Sequence, residues 1–335
     1  MLLRCVVAFG AERIVSPFVR YPPVTGTEPC HDRQMPAAGS STRAGDRLAL
    51  AAALATVSAW ASAFVAIRAV SDDLSPGAMS LLRLSVSSVL LAALATARRE
   101  PLPRRSALGG AALCGVLWFG VYNVALASGE RLVDAGTAAM LVNIGPVLIA
   151  LLAGVVLREG FPRPLLIGSG IGLAGICVIA LGVSDGHAPL RGVLLCLLAA
   201  AAYAGGVVAQ KPALACSSVV SVTLVASLVG TAACLPFAPA LADQLPRAPA
   251  FAIAGTIYLG VVSGALGFVA WGYALKRTWA GRAASMTLLV PPIAVLLGWV
   301  ALGETPPPLG IAGGLIALCG VIVARRRGGP PELAD

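Results

Sequence analysis

Long stretches without a charged side chain dominate this sequence and are its clearest structural signal. Ten such segments follow one another, and one of them is interrupted by a single arginine. They are Leu48–Ile67, Ser75–Ala97, Ser106–Gly129, Ala135–Leu157, Pro164–Ser184, Gly192–Gln210, Pro212–Ala242, Ala248–Leu275, Ala283–Gly303 and Thr305–Ala324. A helix needs about 20 apolar residues to cross a hydrocarbon core that is roughly 30 Å thick. The pattern therefore predicts an all-α membrane protein with ten transmembrane helices.

Residues 135–180 and 280–325 are two copies of one sequence. They match without a gap at an offset of 145 positions, which pairs Pro146 with Pro291. A fainter match extends into the earlier part of each half. Internal duplication in an apolar chain is typical of membrane transporters that are built from two halves.

Each half contains five of the predicted spans, in residues 47–183 and 190–325. Because five is odd, identical halves must cross the bilayer in opposite directions. We therefore predict two inverted five-helix repeats, the geometry that serves alternating access. Residues 1–46, which lack any period, are expected to form a disordered cytoplasmic tail, with Met35 as an alternative start; residues 326–335 are expected to form a second cytoplasmic tail.

The composition agrees with a lipid environment. Hydrophobic residues make up 58% of the chain and charged residues 12%, whereas soluble domains average roughly 45–50% and about 25%. The net charge of +9 comes from basic residues at alternate span ends, which predicts two cytoplasmic termini and no nucleic-acid partner. Arginine outnumbers lysine 22 to 2, which we interpret as the coding bias of a GC-rich bacterial genome. The expected location is a bacterial inner membrane.

Several motifs resemble those of a known family. Trp60 and Phe64 are similar to its Trp-x-x-x-Phe signature in the first span, and Arg83 stands where its second span carries arginine. Its fourth and ninth spans close with a proline followed by a glutamate, as in Pro146 with Glu159 and Pro291 with Glu304. The chain resembles the EamA-type transporters of the drug/metabolite transporter superfamily from about residue 47 to 327. The resemblance implies a secondary transporter of an amino acid, a related metabolite or a drug, with export as the expected direction.

A buried charge and four neighbours are the predicted substrate path. Arg83 lies about 12 Å into its helix, at 1.5 Å per residue. An unpaired arginine at the bilayer centre costs at least roughly 2.5–3.5 kcal/mol, so it needs a backbone carbonyl, water or an anionic group of the substrate. Trp60 is central in the first span, while Tyr122, Asn123 and Asn143 place polar groups deep in the bilayer.

Pro146 and Pro291 fall in the middle of predicted spans. A proline in a helix removes one N–H donor and clashes with the carbonyl four residues earlier, here Val142 and Thr287. Such carbonyls are tolerated at membrane depth where neighbours satisfy them or where they line a cavity. Two interpretations of the prolines remain open, a kink that serves helix packing and a break that lines a central cavity. Their symmetric placement favours the cavity.

Four further residues are weaker candidates. Glu159 and Glu304 end their helices, where the helix dipole disfavours a negative charge. An anchor at the membrane interface is the favoured role, and proton coupling is the alternative. Tyr203 and Trp271 could line a cavity, but structural roles are favoured for them because aromatic residues often mark the interface.

Other function classes have little support in the sequence. There is no nucleophile–base pair, no pair of intramembrane acids and no Cys-x-x-Cys, so we predict no enzyme, cofactor or metal site. A membrane-embedded enzyme and a non-transporting scaffold remain the alternatives. The expected partners are a small-molecule substrate and the lipid bilayer. Glycines spaced by four, such as Gly168 and Gly172, suit close helix packing and leave a homodimer open.

Overall fold

A computed structural model describes residues 43–132, 135–157, 163–183, 190–278, 283, 286–302 and 308–324, and this part of the chain contains helices and no strand. The helices are α1 (Arg43–Val70), α2 (Pro76–Ala97), α3 (Arg105–Gly129), α4 (Ala135–Val142), α5 (Gly145–Val156), α6 (Arg163–Val183), α7 (Leu190–Cys216), α8 (Val219–Gln244), α9 (Ala250–Arg277), α10 (Val290–Leu302) and α11 (Pro308–Ala324). Within the described residues, α1, α2, α3, α7, α8 and α9 are long and apolar enough to cross a membrane. The prediction of an all-helical membrane protein is confirmed.

The predicted tails lie largely outside the described residues. Met35 and residues 326–335 are among the positions that the structure does not describe. At the other boundary α1 already begins at Arg43, so residues 43–46 are helical.

The two mid-span prolines coincide with breaks in the helices. The first break separates α4 from α5, and Pro146 stands in the first turn of α5. The second joins a short 3₁₀ segment, Met286–Leu289, to α10, whose second residue is Pro291. A proline in the first turn of a helix costs little, because the N–H it lacks would have no partner within the helix. The chain therefore breaks each helix before the proline instead of bending a continuous one.

Helices α3 and α9 each contain a wider, π-helical stretch. It covers Gly115–Val121 in α3 and Leu259–Leu266 in α9. The stretches fall at equivalent positions of the two halves, because Trp118 and Ser263 are 145 positions apart. A π-helical turn leaves the usual hydrogen-bonding pattern and is frequent at functional sites.

Helices α2 and α8 are antiparallel neighbours. At one end the Ser75 N–H donates to Gln244 Oε1 at 2.8 Å. At the other end Ser221 Oγ donates to the Pro101 carbonyl at 2.7 Å. Between them the hydroxyls of Ser88 and Ser227 are 2.8 Å apart. Helix α2 therefore starts beside the end of α8 and finishes beside its beginning.

Glycines bring α6 and α11 into close contact. A Cβ atom at Gly320 would lie 2.5 Å from the backbone nitrogen of Gly172 and 2.7 Å from the carbonyl oxygen of Gly168. No side chain fits at that distance, so the helices approach closely only because these residues are glycines. The small residues at these positions serve packing within one chain.

Large apolar side chains cover much of the outer surface. Val89, Val155 and Val300 are 60%, 71% and 74% exposed. The interior also holds bulky rings, with Trp118 and Phe119 at no more than 2% exposure. An apolar exterior of this extent is stable in lipid and would be a liability in water.

Candidate functional site

A cavity inside the bundle is lined by side chains from both halves of the chain. It gathers seven residues of the predicted site: Trp60, Arg83, Tyr122, Asn123, Val142, Asn143 and Thr287. Pro146 and Pro291 do not line it, although they directly follow the two helix breaks that do. Glu159 and Glu304 lie outside the described residues. The structure thus brings the predicted substrate path and the helix breaks to one place.

Arg83 supplies the positive charge of the cavity. Its side chain is 7% exposed, and its Nη2 donates to Ser263 Oγ at 3.1 Å. The Ser263 hydroxyl in turn donates to the Leu259 carbonyl at 2.7 Å, within the π-helical stretch of α9. Within the described part of the chain, this contact uses one of the five N–H donors of the guanidinium. The others leave Arg83 able to bind an anionic group in the cavity.

Trp60 is held by the same residue of α9. Its Nε1–H donates to the backbone carbonyl of Ser263 at 3.2 Å. The Ser263 side chain therefore orients Arg83, while its backbone orients Trp60. One turn of α9 therefore holds both the Arg83 guanidinium and the Trp60 ring in position.

Two asparagine side chains are among the residues that line the cavity. Asn123 Nδ2 donates to the carbonyls of Trp118 and Phe119 at 3.2 and 2.8 Å, and Asn143 Nδ2 donates to the Ala139 carbonyl at 2.8 Å. These bonds fix the orientation of each amide, because a carbonyl can only accept. Both Oδ1 atoms are buried and accept no hydrogen bond from the described residues. A buried acceptor without a donor costs about 1–3 kcal/mol, so a substrate that carries N–H groups is favoured there.

An aromatic cluster forms the apolar side of the site. We define it as Trp60, Trp118, Tyr203, Phe268 and Trp271. Ring centroids are 5.5 Å apart for Trp60 and Trp118, 4.9 Å for Trp118 and Tyr203, 4.7 Å for Trp118 and Phe268, and 5.2 Å for Trp60 and Trp271. These are the separations of interacting aromatic pairs. Trp271 is 1% exposed and packs behind the rings that line the cavity.

Residues of both helix breaks line the cavity. Val142 and Asn143 come from the break after α4, and Thr287 comes from the 3₁₀ segment before α10. Tyr203 OH donates to Thr287 Oγ1 at 3.4 Å, so α7 contacts the second break. Irregular backbone at this depth is expected only where it is buried in protein or lines a cavity.

Four aromatic lining residues were not assigned to the site from the sequence: Phe64, which was noted only as part of the Trp-x-x-x-Phe signature, Trp118, Tyr203 and Phe268. Tyr203 lines the cavity, and its pairing with Trp60 in the fainter part of the repeat was the available signal. Trp118 lies one turn before Tyr122 and could have been found from that spacing. Phe268 carries no such signal, since only packing brings it to the site.

The described residues contain no group of three or more side chains that could hold a metal ion. The polar chemistry of the cavity comes from a guanidinium, two amides and several hydroxyls. Such groups can bind and orient a small zwitterion, and none of them is an evident nucleophile with a base beside it.

Comparison with known proteins identifies a family whose profile this chain matches. The profile of the EamA-like transporter family matches residues 47–181 and again 190–326. A probable terminal-alkyne amino-acid exporter of Streptantibioticus cattleyicolor is 41% identical over 273 residues, which cover 81% of this chain and 91% of that protein. An uncharacterized transporter of Bacillus subtilis is 30% identical over 262 residues, 78% of this chain and 86% of that protein. A solved crystal structure superposes with a TM-score of 0.65 at 19% identity, over 85% of this chain and 97% of the other, which shows the fold.

Proposed function

The chain belongs to the EamA-like transporter family, and on that premise we propose that it exports an α-amino acid by alternating access. Membership makes it a membrane transporter of small metabolites and not an enzyme. The substrate class, the outward direction and the mechanism are the proposed part.

The observation that carries the proposal is the set of polar groups in one cavity. Arg83 offers N–H donors, while Asn123 and Asn143 offer two buried acceptor oxygens. An α-amino acid carries a carboxylate and an ammonium on the same carbon. In our proposal the carboxylate binds Arg83 through charge-assisted hydrogen bonds, and the ammonium donates to the amide oxygens.

In our proposal the aromatic cluster selects substrates by their side chain. Trp60, Trp118 and Phe268 line the cavity, and there is no carboxylate among the described lining residues. Such walls favour an uncharged, apolar side chain. This agrees with the relative named as a probable terminal-alkyne amino-acid exporter, and that name also supports the outward direction.

We propose ten spans in two inverted five-helix repeats, residues 47–183 and 190–325, with Arg83 and the helix breaks near the midplane. Two separate matches to one family profile support the division. The antiparallel contact of α2 with α8, the second long helix of each half, supports the inversion. The charge distribution supports cytoplasmic termini in the plasma membrane.

Counterflow in proteoliposomes tests the proposal. Vesicles with the purified full chain are loaded with unlabelled propargylglycine, a terminal-alkyne amino acid, or with leucine, and uptake of the labelled compound is measured. We expect transient accumulation with the wild type, and none with protein-free vesicles. Failure of every common amino acid and of propargylglycine to accumulate, with protein that is folded and correctly inserted, would refute an amino-acid substrate.

A further inference from the structure

In the first half, the ends of α1 and α3 exchange hydrogen bonds between cations and backbone carbonyls. Arg68, in the last turn of α1, donates through Nη1 to the Glu130 carbonyl at 3.4 Å, just beyond the end of α3. Arg131 follows α3 and donates through Nη2 and Nε to the Ser71 carbonyl at 2.7 and 3.0 Å, just beyond the end of α1. We call these four residues the first clasp.

In the second half, α7 and α9 make the same exchange. Lys211, near the end of α7, donates through Nζ to the Leu275 carbonyl at 2.6 Å and also to the Thr278 carbonyl. Lys276, in the last turn of α9, donates to the Ser217 carbonyl at 2.9 Å, just beyond the end of α7. We call these five residues the second clasp.

The two clasps are related by the internal repeat. Arg131 and Glu130 are 145 positions before Lys276 and Leu275. Arg68 pairs with Lys211 in the fainter part of the repeat, and a serine directly follows the first helix of each half. The acceptors are backbone carbonyls, which every residue has, so these contacts do not depend on the side chain of the acceptor residue. A cation near the end of each of the four helices is the feature that both halves share.

The clasps lie at opposite ends of the bundle. Ser75, four residues after Ser71, contacts Gln244 at the end of α8. Ser217 of the second clasp accepts from the Arg104 N–H through its hydroxyl and stands two residues before α8 begins. Helix α8 has 26 residues, which at 1.5 Å per residue separates the two ends by about 39 Å.

Each clasp joins two helices that also line the cavity. Helices α1 and α3 carry Trp60 and Trp118, while α7 and α9 carry Tyr203 and Phe268. A cation at a helix C-terminus is stabilised by the carbonyls it meets and by the helix dipole. Separating the two helices at a clasp therefore requires breaking two charge-assisted contacts at once.

The two clasps differ in their exposure. Lys211 is 8% exposed and Lys276 is half-buried, whereas Arg68 and Arg131 are exposed. The Lys211 contact with the Leu275 carbonyl is buried, whereas the contacts of Lys276, Arg68 and Arg131 are partly buried. Charged contacts weaken as water reaches them, so the contact between Lys211 and Leu275 is the best shielded in the two clasps.

We propose that each clasp holds one gate of the transporter closed, and that the two clasps open in alternation. The gates are the pairs of helices that the clasps join, α1 with α3 and α7 with α9. The proposal rests on the proposed function for its setting, since gates have a purpose only in a transporter. Opening the first clasp separates α1 from α3 and exposes the cavity at one end, and opening the second separates α7 from α9 at the other. Arg83 links the substrate to the second clasp, because it contacts Ser263 in α9, the helix whose last turn carries Lys276.

Hydrogen–deuterium exchange of the full chain in lipid nanodiscs tests the proposal. Lys276→Met removes one of the two cations of the second clasp and leaves Lys211, and Arg131→Met removes one of the two cations of the first and leaves Arg68. The readouts are the amides of residues 71–74 and 130–132 for the first clasp, and of 213–217 and 275–278 for the second. Arg247→Met is the matched control, because it also removes a cation at a helix end but breaks an exposed pair with Asp243, 2.8 Å apart, outside both clasps.

We expect opposite changes at the two ends. In Lys276→Met, exchange at the second clasp rises about tenfold, the effect of losing one charge-assisted hydrogen bond, and exchange at the first clasp falls because that gate is closed more often. Arg131→Met gives the reverse pattern. Lys276→Arg and Arg131→Lys restore the wild-type pattern, and Arg247→Met changes neither clasp.

A rise at the mutated clasp without a fall at the other overturns the proposal, since it shows local fraying only. No rise at either clasp overturns it as well. The test is separate from the test of function, because exchange is measured without substrate. If amino-acid counterflow is observed but a change at one clasp does not alter exchange at the other, the proposed function stands and the gate proposal fails. If exchange at the two clasps changes in opposite directions but no amino acid shows counterflow, only the proposed substrate is refuted.

Discussion

Arg83 and Ser263 are 180 positions apart in the chain, yet Arg83 Nη2 lies 3.1 Å from Ser263 Oγ. The contact joins Arg83, the one charged residue among the described residues of the cavity lining, to the π-helical stretch of α9. It also places Arg83 beside Trp60, which binds the carbonyl of the same serine. The site is therefore organised around one small residue that does not itself line the cavity.

Removal of the Arg83 charge is expected to weaken binding of the substrate carboxylate. We predict that Arg83→Ala raises the KM of counterflow about 10- to 100-fold, because a hydrogen bond to a charged group contributes about 1.5–3 kcal/mol. Arg83→Lys keeps the charge but loses the planar donor pair, so its KM should lie between that of the wild type and that of Arg83→Ala. Unchanged transport in a correctly inserted Arg83→Ala protein would exclude direct binding by this residue.

Ser263→Ala tests whether Arg83 must be held in place. We predict a rise in KM of about tenfold, since Arg83 loses its hydroxyl partner, while the bond from Trp60 persists because it uses the backbone. Ser263→Thr keeps the hydroxyl and should retain most of the affinity. The matched control is Ser87→Ala, since Ser87 is fully buried one turn from Arg83 and its Oγ has no partner among the described residues. Equal effects of Ser263→Ala and Ser87→Ala would contradict the positioning role.

Asn143→Leu tests the assignment of the amide oxygen to the substrate ammonium. The change removes the buried acceptor at nearly constant volume, so we expect weaker inhibition of counterflow by an amino acid. The analogue that lacks the amino group should inhibit the variant and the wild type alike. Competition assays with leucine and with 4-methylpentanoate provide the comparison. A parallel loss for both compounds would show that Asn143 acts only through the fold.

Gly320→Ala is expected to destabilise the contact between α6 and α11. The added Cβ would lie 2.5 Å from the Gly172 backbone nitrogen, and overpacking of this kind costs about 1–3 kcal/mol. Gly170→Ala is the control, because a Cβ there meets nothing within 4 Å and alanine favours the helix. Thermal unfolding in detergent should show a lower midpoint for Gly320→Ala alone. Equal midpoints for both variants would mean that the helices can separate without cost.

Topology reporters test the inverted arrangement. Arg104 and Lys276 both contact Ser217, one through its backbone N–H and the other through Nζ. We therefore predict that reporter fusions after these two positions give the same cytoplasmic signal. Fusions after Asp73 and Gln244 should both give the outer signal, because Ser75 contacts Gln244. Opposite signals within either pair would rule out two inverted halves.

Much of the site was predictable because polar groups in an apolar helix are rare. Arg83, Asn123 and Asn143 stood out from their surroundings in the sequence, and all three line the cavity. Phe268 could not be recognised in this way, since one more ring in an apolar helix carries no signal. The role of Ser263 was hidden for a related reason, because a serine can satisfy its own hydroxyl within its helix and needs no distant partner.

The sequence by itself determined the membrane location and the positions of the helices. Each helix forms its hydrogen bonds locally, and lipid requires each span to be apolar, so both properties can be recognised segment by segment. Only the tertiary structure decided that the helices break before Pro146 and Pro291, that α3 and α9 widen into π-helical stretches, and that Arg83 meets Ser263. These features depend on how distant helices pack against one another, and no local pattern along the chain records such contacts.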